Sequence, residues 1–356
     1  MAFVFGWTYV LISKPLAAAG IAIIFGEHVN ALLGVTWDPR LVTIGILVVL
    51  TAINIVGMTL GSRVAMVLTC VKLAALMAIV GLGLAVVPGS GRALEAVPAP
   101  KPFIDGLLPV MFLIMWTYDG WSDVGAIAGE VKDPQRQLPR VYLTGTAIIT
   151  LIYVAVNAVY MLLVPLEEMR GMDTVAPTVV ERLLPANLAA AGGVIVTGIV
   201  LVSTLGSTHG SIMTGARVTF AQARDGLLFS FLGRVHPRFE TPAVSLVVQL
   251  VLSCIACWFV GDFERLAGGF LFTMWIFYGL AACSIFILRV KRPDAPRPYK
   301  CWGYPVVPAV FILAAAAMTV LSIRDTPVQS LVWLGVLLAG VPVYFVWTNL
   351  TPRLLR

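Results

Sequence analysis

The sequence predicts an all-α polytopic membrane protein, and three observations carry that expectation. The chain of 356 residues is 59% hydrophobic and only 12% charged, with a mean hydropathy of +0.95, whereas ordinary soluble domains are roughly a quarter charged. Ten apolar segments recur along it, at residues 3 to 26, 41 to 59, 64 to 87, 103 to 128, 141 to 164, 188 to 219, 243 to 260, 267 to 288, 305 to 323 and 329 to 349. Most match the length of about 20 residues that a helix needs to cross a hydrocarbon core of about 30 Å. Finally, the basic residues between segments fall unequally on alternate sides: fifteen on one set of loops and ends, seven on the other.

All-round hydrophobicity favours helices, since a membrane barrel alternates in segments of roughly ten residues. Basic residues concentrate on cytoplasmic loops, so the excess places both termini in the cytoplasm and the chain in a cell (inner) membrane. An even number of crossings agrees with that placement. The net charge of +6 therefore reads as topology. No basic stripe interleaved with aromatics calls for nucleic acid, and the expected surroundings are the lipid bilayer.

Taken in order, the first segment opens directly after Met1 with Ala-Phe-Val-Phe-Gly-Trp, without the charged start and small-residue cleavage site of a signal peptide. Lys14, beside Pro15, is read as snorkelling towards the headgroups and is assigned no role. The third segment carries Lys72 at its middle, in Cys70-Val-Lys-Leu, beyond snorkelling distance of either end. Such an ammonium needs a reason to be buried. A proton that binds and leaves during a working cycle is one reading, and a purely structural ammonium the other.

The fourth segment is the most informative. Met115-Trp-Thr-Tyr-Asp-Gly-Trp-Ser-Asp123 puts two acids, a glycine and aromatics at mid-membrane depth, where an acid costs about 2.5 to 3.5 kcal/mol to insert. Gly120 and Gly125 weaken the helix there. A broken helix frees backbone groups that a membrane tolerates only against a cavity or a partner. The alternative is a kinked helix whose acids pair with neighbours. Between the fifth and sixth segments, Thr178 to Leu184 before Pro185 suits a short surface helix. The sixth segment contains Ser203-Thr-Leu-Gly-Ser-Thr-His-Gly-Ser211, whose Ser207, His209 and Ser211 either bond across helices or coordinate an ion. Cys254 and Cys257 in the seventh segment lack a second ligand pair and read as packing. Trp275 on the eighth reads, taken alone, as a core or lipid-facing aromatic. No nucleotide-binding, zinc-protease or serine-elbow motif is present, so neither an enzyme nor a cofactor is expected.

Two long blocks carry a family resemblance. Tyr118-Asp-Gly-Trp121 followed by Gly129-Glu-Val-Lys-Asp-Pro-Gln-Arg-Gln-Leu-Pro-Arg140, and Gly215-Ala-Arg-Val-Thr-Phe-Ala-Gln-Ala-Arg-Asp-Gly226 continuing to Pro242, resemble helices and loops of L-type permeases in the amino acid, polyamine and organocation superfamily. Phe5-Gly-Trp-Thr-Tyr9 with Lys14-Pro15 resembles that family's third helix, so the ten segments correspond to its helices three to twelve.

The resemblance implies a LeuT-like inverted-repeat fold truncated to about ten transmembrane helices and forming one membrane domain over residues 1–356. Residues 1–87 would be the remainder of the first repeat, 103–288 the second repeat and 305–349 two C-terminal helices. It implies secondary transport or exchange of amino acids by alternating access. The backbone of Thr117, Tyr118, Asp119 and Gly120 would receive the substrate ammonium, Trp116 would close over the side chain, and Trp275 would flank the pocket. Lys72 resembles a lysine whose ammonium stands in for a sodium ion, and with Ser207, His209 and Ser211 it forms the expected ion or proton-coupling set. His209 departs from the asparagine expected at its place. No counterpart of the family's leading helix, with its glycine-serine-glycine break, precedes Met1. The competing expectation is thus a non-transporting membrane fragment or partner subunit, and no partner chain is assigned.

Overall fold

The computed structural model describes residues 1–90, 103–172 and 174–354. Side chains are described within those ranges except for Met58, residues 87–90, 103–109, 112 and 350–354. The described residues are overwhelmingly helical. Helix α1 (Ala2–Thr8) runs through a single π turn, Tyr9–Ser13, into α2 (Lys14–Leu33), which stops at Gly34 in the left-handed conformation (φ +63°) that glycine adopts without a Cβ penalty. Asp38 caps α3 (Pro39–Val56) by accepting from the Arg40 amide, and Pro39 opens it, where a missing N–H costs nothing. Helix α4 (Met58–Ser90) follows directly.

Helix α5 (Phe103–Tyr118) is the first half of the fourth apolar segment and ends in mid-segment. A chain of turns through Gly120 (φ +96°) leads to the single-turn α6 (Asp123–Ala126) and a 3-10 turn at Ala128–Glu130. Then come α7 (Pro134–Leu163), the short α8 (Leu166–Met169) and α9 (Ala176–Leu183), which occupies the place expected of a surface helix. Helix α10 (Gly192–Arg224) is followed by α11 (Ala243–Phe259), α12 (Phe263–Lys291), α13 (Val306–Asp325) and α14 (Pro327–Leu354). Asp262 caps α12 through the Arg265 amide, and Arg289 and Lys291 sit in its last turn, where positive charge offsets the exposed carbonyls.

Among the described residues eight spans, with α1 and α2 counted as one, are long and apolar enough to cross a membrane. The other two expected segments differ for local reasons: α11 is apolar but 17 residues long, and α5 is cut short at Tyr118 by the break. The α1–α2 rod is the hub, with 72% of its most apolar window buried against 39% or less in the other seven. Its small residues decide this. Ala18, Ala22 and Gly26 let neighbouring backbones approach, so Ala18 and Ala22 pack on Leu47 and Leu50 of α3, Ile212 and Ala216 of α10 and Leu246 of α11. At Gly26 a Cβ would come within 2.6 Å of the Pro39 carbonyl oxygen.

A second core joins Tyr9, Ile12 and Leu16 to Phe270, Leu271, Met274 and Tyr278 of α12 and to Cys257 of α11. The five cysteines are free thiols. A third core lays the apolar face of α9, Val179, Val180 and Leu183, over Ile79, Val159 and Val196. On the outside, Leu151 and Val154 of α7 and Leu313 and Val320 of α13 stand exposed, which suits a hydrocarbon surround.

Candidate functional site

The break after Tyr118 is where the molecule concentrates polar chemistry. Asp119, Gly120 and Ser122 are carried in successive turns, with the Asp119 amide donating to Trp116 O and the Asp123 amide to Gly120 O, both at 3.1 Å. These turns face a cavity of about 690 Å³ bounded by α2, α4, α7, α10 and Phe270 of α12. That volume is within the ordinary range for a small-molecule site.

Three networks hold the break in place. Ser122 donates to the Tyr278 hydroxyl at 2.9 Å, and Tyr278 donates to Asp119 Oδ1 at 3.0 Å. Lys14 Nζ meets Asp123 Oδ1 at 2.5 Å, with the lysine side chain 6% and the aspartate 22% exposed. Arg217 of α10 binds Glu130 at 2.6 Å, just beyond α6. A segment with hardly any helix of its own is thus tied to α2, α10 and α12 by charge and hydroxyl contacts.

Lys14 corrects an expectation. It does not reach for the headgroups; it is buried, and the π turn before it delivers it to the cavity wall opposite Asp123. The physical cause is that two opposite charges stranded in apolar segments satisfy each other at lower cost than either does alone.

Of the residues singled out from sequence, Trp116, Thr117, Tyr118, Asp119, Gly120, Lys72, Ser207 and Ser211 all line this cavity. Trp116 meets Phe263 and Phe270 edge to face, at centroid distances of 5.2 and 5.8 Å. The Thr117 hydroxyl is spent on Leu113 O at 2.8 Å, and its carbonyl accepts a long bond from Tyr153 at 3.4 Å. Ser203, Ser207, Ser211 and Thr214 share one face of α10, the face that helical spacing predicts. The buried Ser211 hydroxyl has no hydrogen-bond partner among the described residues, and neither does the Lys72 ammonium have an ion-pair partner among them.

Two expected residues lie elsewhere. His209 is fully buried on another face of α10, where Nε2 donates to Gly61 O at 2.8 Å and Nδ1 accepts from Asn54 Nδ2 at 3.2 Å. It fastens α10 to the junction of α3 and α4. Trp275 packs on Phe311 at 5.6 Å and on Tyr278 at 5.8 Å, beside a small crevice with Met115 and Met318. Tyr278, one turn further along α12, bonds the break. Sequence reasoning passed over it because a tyrosine in an apolar run carries no mark of its hydroxyl partner.

A family model described as amino acid permease matches residues 1–343. The human cystine/glutamate transporter is 29% identical over 354 residues, which cover 97% of this chain and 69% of that protein. Human large neutral amino acids transporter small subunit 2 is 31% identical over 349 residues, covering 95% of this chain and 64% of that protein. The rat b(0,+)-type amino acid transporter 1 is 27% identical over 358 residues, covering 98% and 72%. The chain therefore spans about two thirds of the length of these relatives.

Proposed function

The chain belongs to the amino acid permease family, as a secondary transporter of amino acids, and we propose that it carries them by alternating access through the cavity beside the broken helix. One observation supports this most: the helix ends at Tyr118, in mid-segment, and presents Asp119 and the turn at Gly120 to a cavity of about 690 Å³. Non-helical backbone at membrane depth is stable only against a cavity or protein, and transporters place substrate there.

The turn offers non-helical backbone and a carboxylate to a substrate ammonium. Trp116 and Phe270 supply apolar surface for its side chain. Ser207, Ser211 and Lys72 line the wall formed by α4 and α10; the serine hydroxyls would hold a coupling cation, whereas the Lys72 ammonium, itself a cation, would take the place of one and exchange a proton. Residues 103–288 form the repeat that rocks, 1–87 belong to the other repeat, and 305–349 add two flanking helices. The excess of basic residues on one set of loops supports a cell (inner) membrane location with both termini cytoplasmic. The alternative of a non-transporting fragment draws no support from relatives that are named as transporters.

The test is uptake of labelled amino acids by the full chain in proteoliposomes preloaded with unlabelled amino acid. Uptake above empty liposomes, reduced at least tenfold by Asp119→Ala, is the expected result. No uptake of any α-amino acid would reject the reading.

A further inference from the structure

We infer that the Lys14–Asp123 ion pair sets the charge class of the substrate, matching the cavity to amino acids whose side chains are uncharged. The inference rests on the transport reading above and extends it to a question the comparisons leave open, since the relatives are named for cystine and glutamate, for large neutral amino acids and for a b(0,+) class.

Among the described residues the cavity is lined by four ionisable charges: Lys14, Lys72, Asp119 and Asp123. Lys14 and Asp123 are in direct contact at 2.5 Å and largely withdrawn from solvent, so each is already neutralised by the other. Asp119 accepts from the Tyr278 hydroxyl and from the Gly120 backbone, neutral groups that orient a carboxylate without discharging it, and the nearby Lys14 ammonium is in contact with Asp123, so among the described residues Asp119 has no ion pair of its own. Lys72, on α4, has no acidic partner among the described residues. One carboxylate and one ammonium therefore remain uncommitted, on different walls.

A zwitterion brings one group of each sign and leaves the cavity neutral. A lysine or glutamate brings a further unit charge, and the remaining walls, apolar at Ile21, Ile24, Val141, Ile149 and Phe270 and carrying only neutral hydroxyls at residues such as Thr146 and Ser203, offer it no counter-charge. Burying a charge without a partner is heavily penalised. Among the described residues the charges left to answer it are Lys14 and Asp123, and each is held by the other.

Removing one member of the pair converts the survivor into that missing counter-charge. Lys14→Met exposes the Asp123 carboxylate and favours a cationic side chain. Asp123→Asn exposes the Lys14 ammonium and favours an anionic one. The exchange variant, Lys14→Asp with Asp123→Lys, restores a closed pair.

The experiment measures kcat/KM for leucine, lysine and glutamate with the full chain in proteoliposomes, each variant being checked for monodispersity. The wild type is expected to prefer leucine at least tenfold over both others. Lys14→Met is expected to raise the lysine-to-leucine ratio tenfold or more, Asp123→Asn to raise glutamate-to-leucine likewise, and the exchange variant to keep the leucine preference at a lower rate. Ratios unchanged in both single variants would overturn the inference while leaving transport intact. A wild type that moves none of the three would overturn the transport reading itself, together with what rests on it. If neither single variant folds, competition against leucine uptake by the wild type decides: inhibition by lysine and glutamate at least tenfold weaker than by isoleucine supports the inference, and equal inhibition overturns it.

Discussion

Lys14 and Asp123 stand 109 residues apart in the chain and 2.5 Å apart in space, and this contact joins the most buried helix of the bundle to the segment that has the least helix. The lysine rises from the end of a π turn, an irregularity often found at functional sites, and the aspartate begins the single turn of α6. A rigid hub thereby fixes one end of the break that lines the cavity.

Breaking that contact from one side leaves an uncompensated charge in a low-dielectric interior, which costs about 3 kcal/mol or more. Lys14→Met and Asp123→Asn are each expected to lower unfolding stability in detergent by about that amount. The double variant Lys14→Met with Asp123→Asn, which leaves no charge behind, should lose less than the sum of the two single losses. Additive losses in this cycle would mean that the two groups do not interact.

Tyr278 is expected to act by orientation. Tyr278→Phe removes the hydroxyl that joins Ser122 to Asp119 while keeping the ring against Trp121 and Trp275. A hydrogen bond to a charged group is worth about 1.5–3 kcal/mol, so transport kcat/KM should fall by about tenfold or more with little change in thermal stability. An unchanged kcat/KM would remove Tyr278 from the site.

His209 should behave as a fastener. Its substitution by alanine leaves the Gly61 carbonyl without its Nε2 donor in a buried position, at a cost of about 1–3 kcal/mol. The expected result is a lowered unfolding midpoint with substrate KM unchanged within about twofold. A changed substrate preference at an unchanged midpoint would place the imidazole in the substrate path.

Lys72 carries the coupling proposal. If its ammonium exchanges a proton during the cycle, an imposed pH gradient should alter the initial uptake rate of the wild type, and Lys72→Ala should abolish that response. A variant that transports with the same response to the gradient would end the proposal.

The sequence by itself determined the all-helical membrane class, the ten apolar segments and the break near Gly120, because each follows from local chemistry: segment length against bilayer thickness, and a glycine among acids where no simple span tolerates them. It also marked the polar patch from Ser203 to Ser211 on α10, since hydroxyls in an apolar segment stand out in the chain alone. Only the tertiary structure decided which charges meet. Lys72, Asp119 and Asp123 sit deep in apolar segments, so their need for partners was legible, whereas Lys14 reads as snorkelling, and two amines and two acids allow more than one arrangement. The outcome depends on how each helix is rotated against its neighbours. At Lys14 the π turn changes the phase of everything after it, and one residue of an α-helix amounts to about 100° of rotation. The same reason separates His209 from Ser207 and Ser211, which the sequence presents as one set: the packing of α3 and α4 on one side of α10 and the opening of the cavity on the other make one face structural and the other a wall of the site.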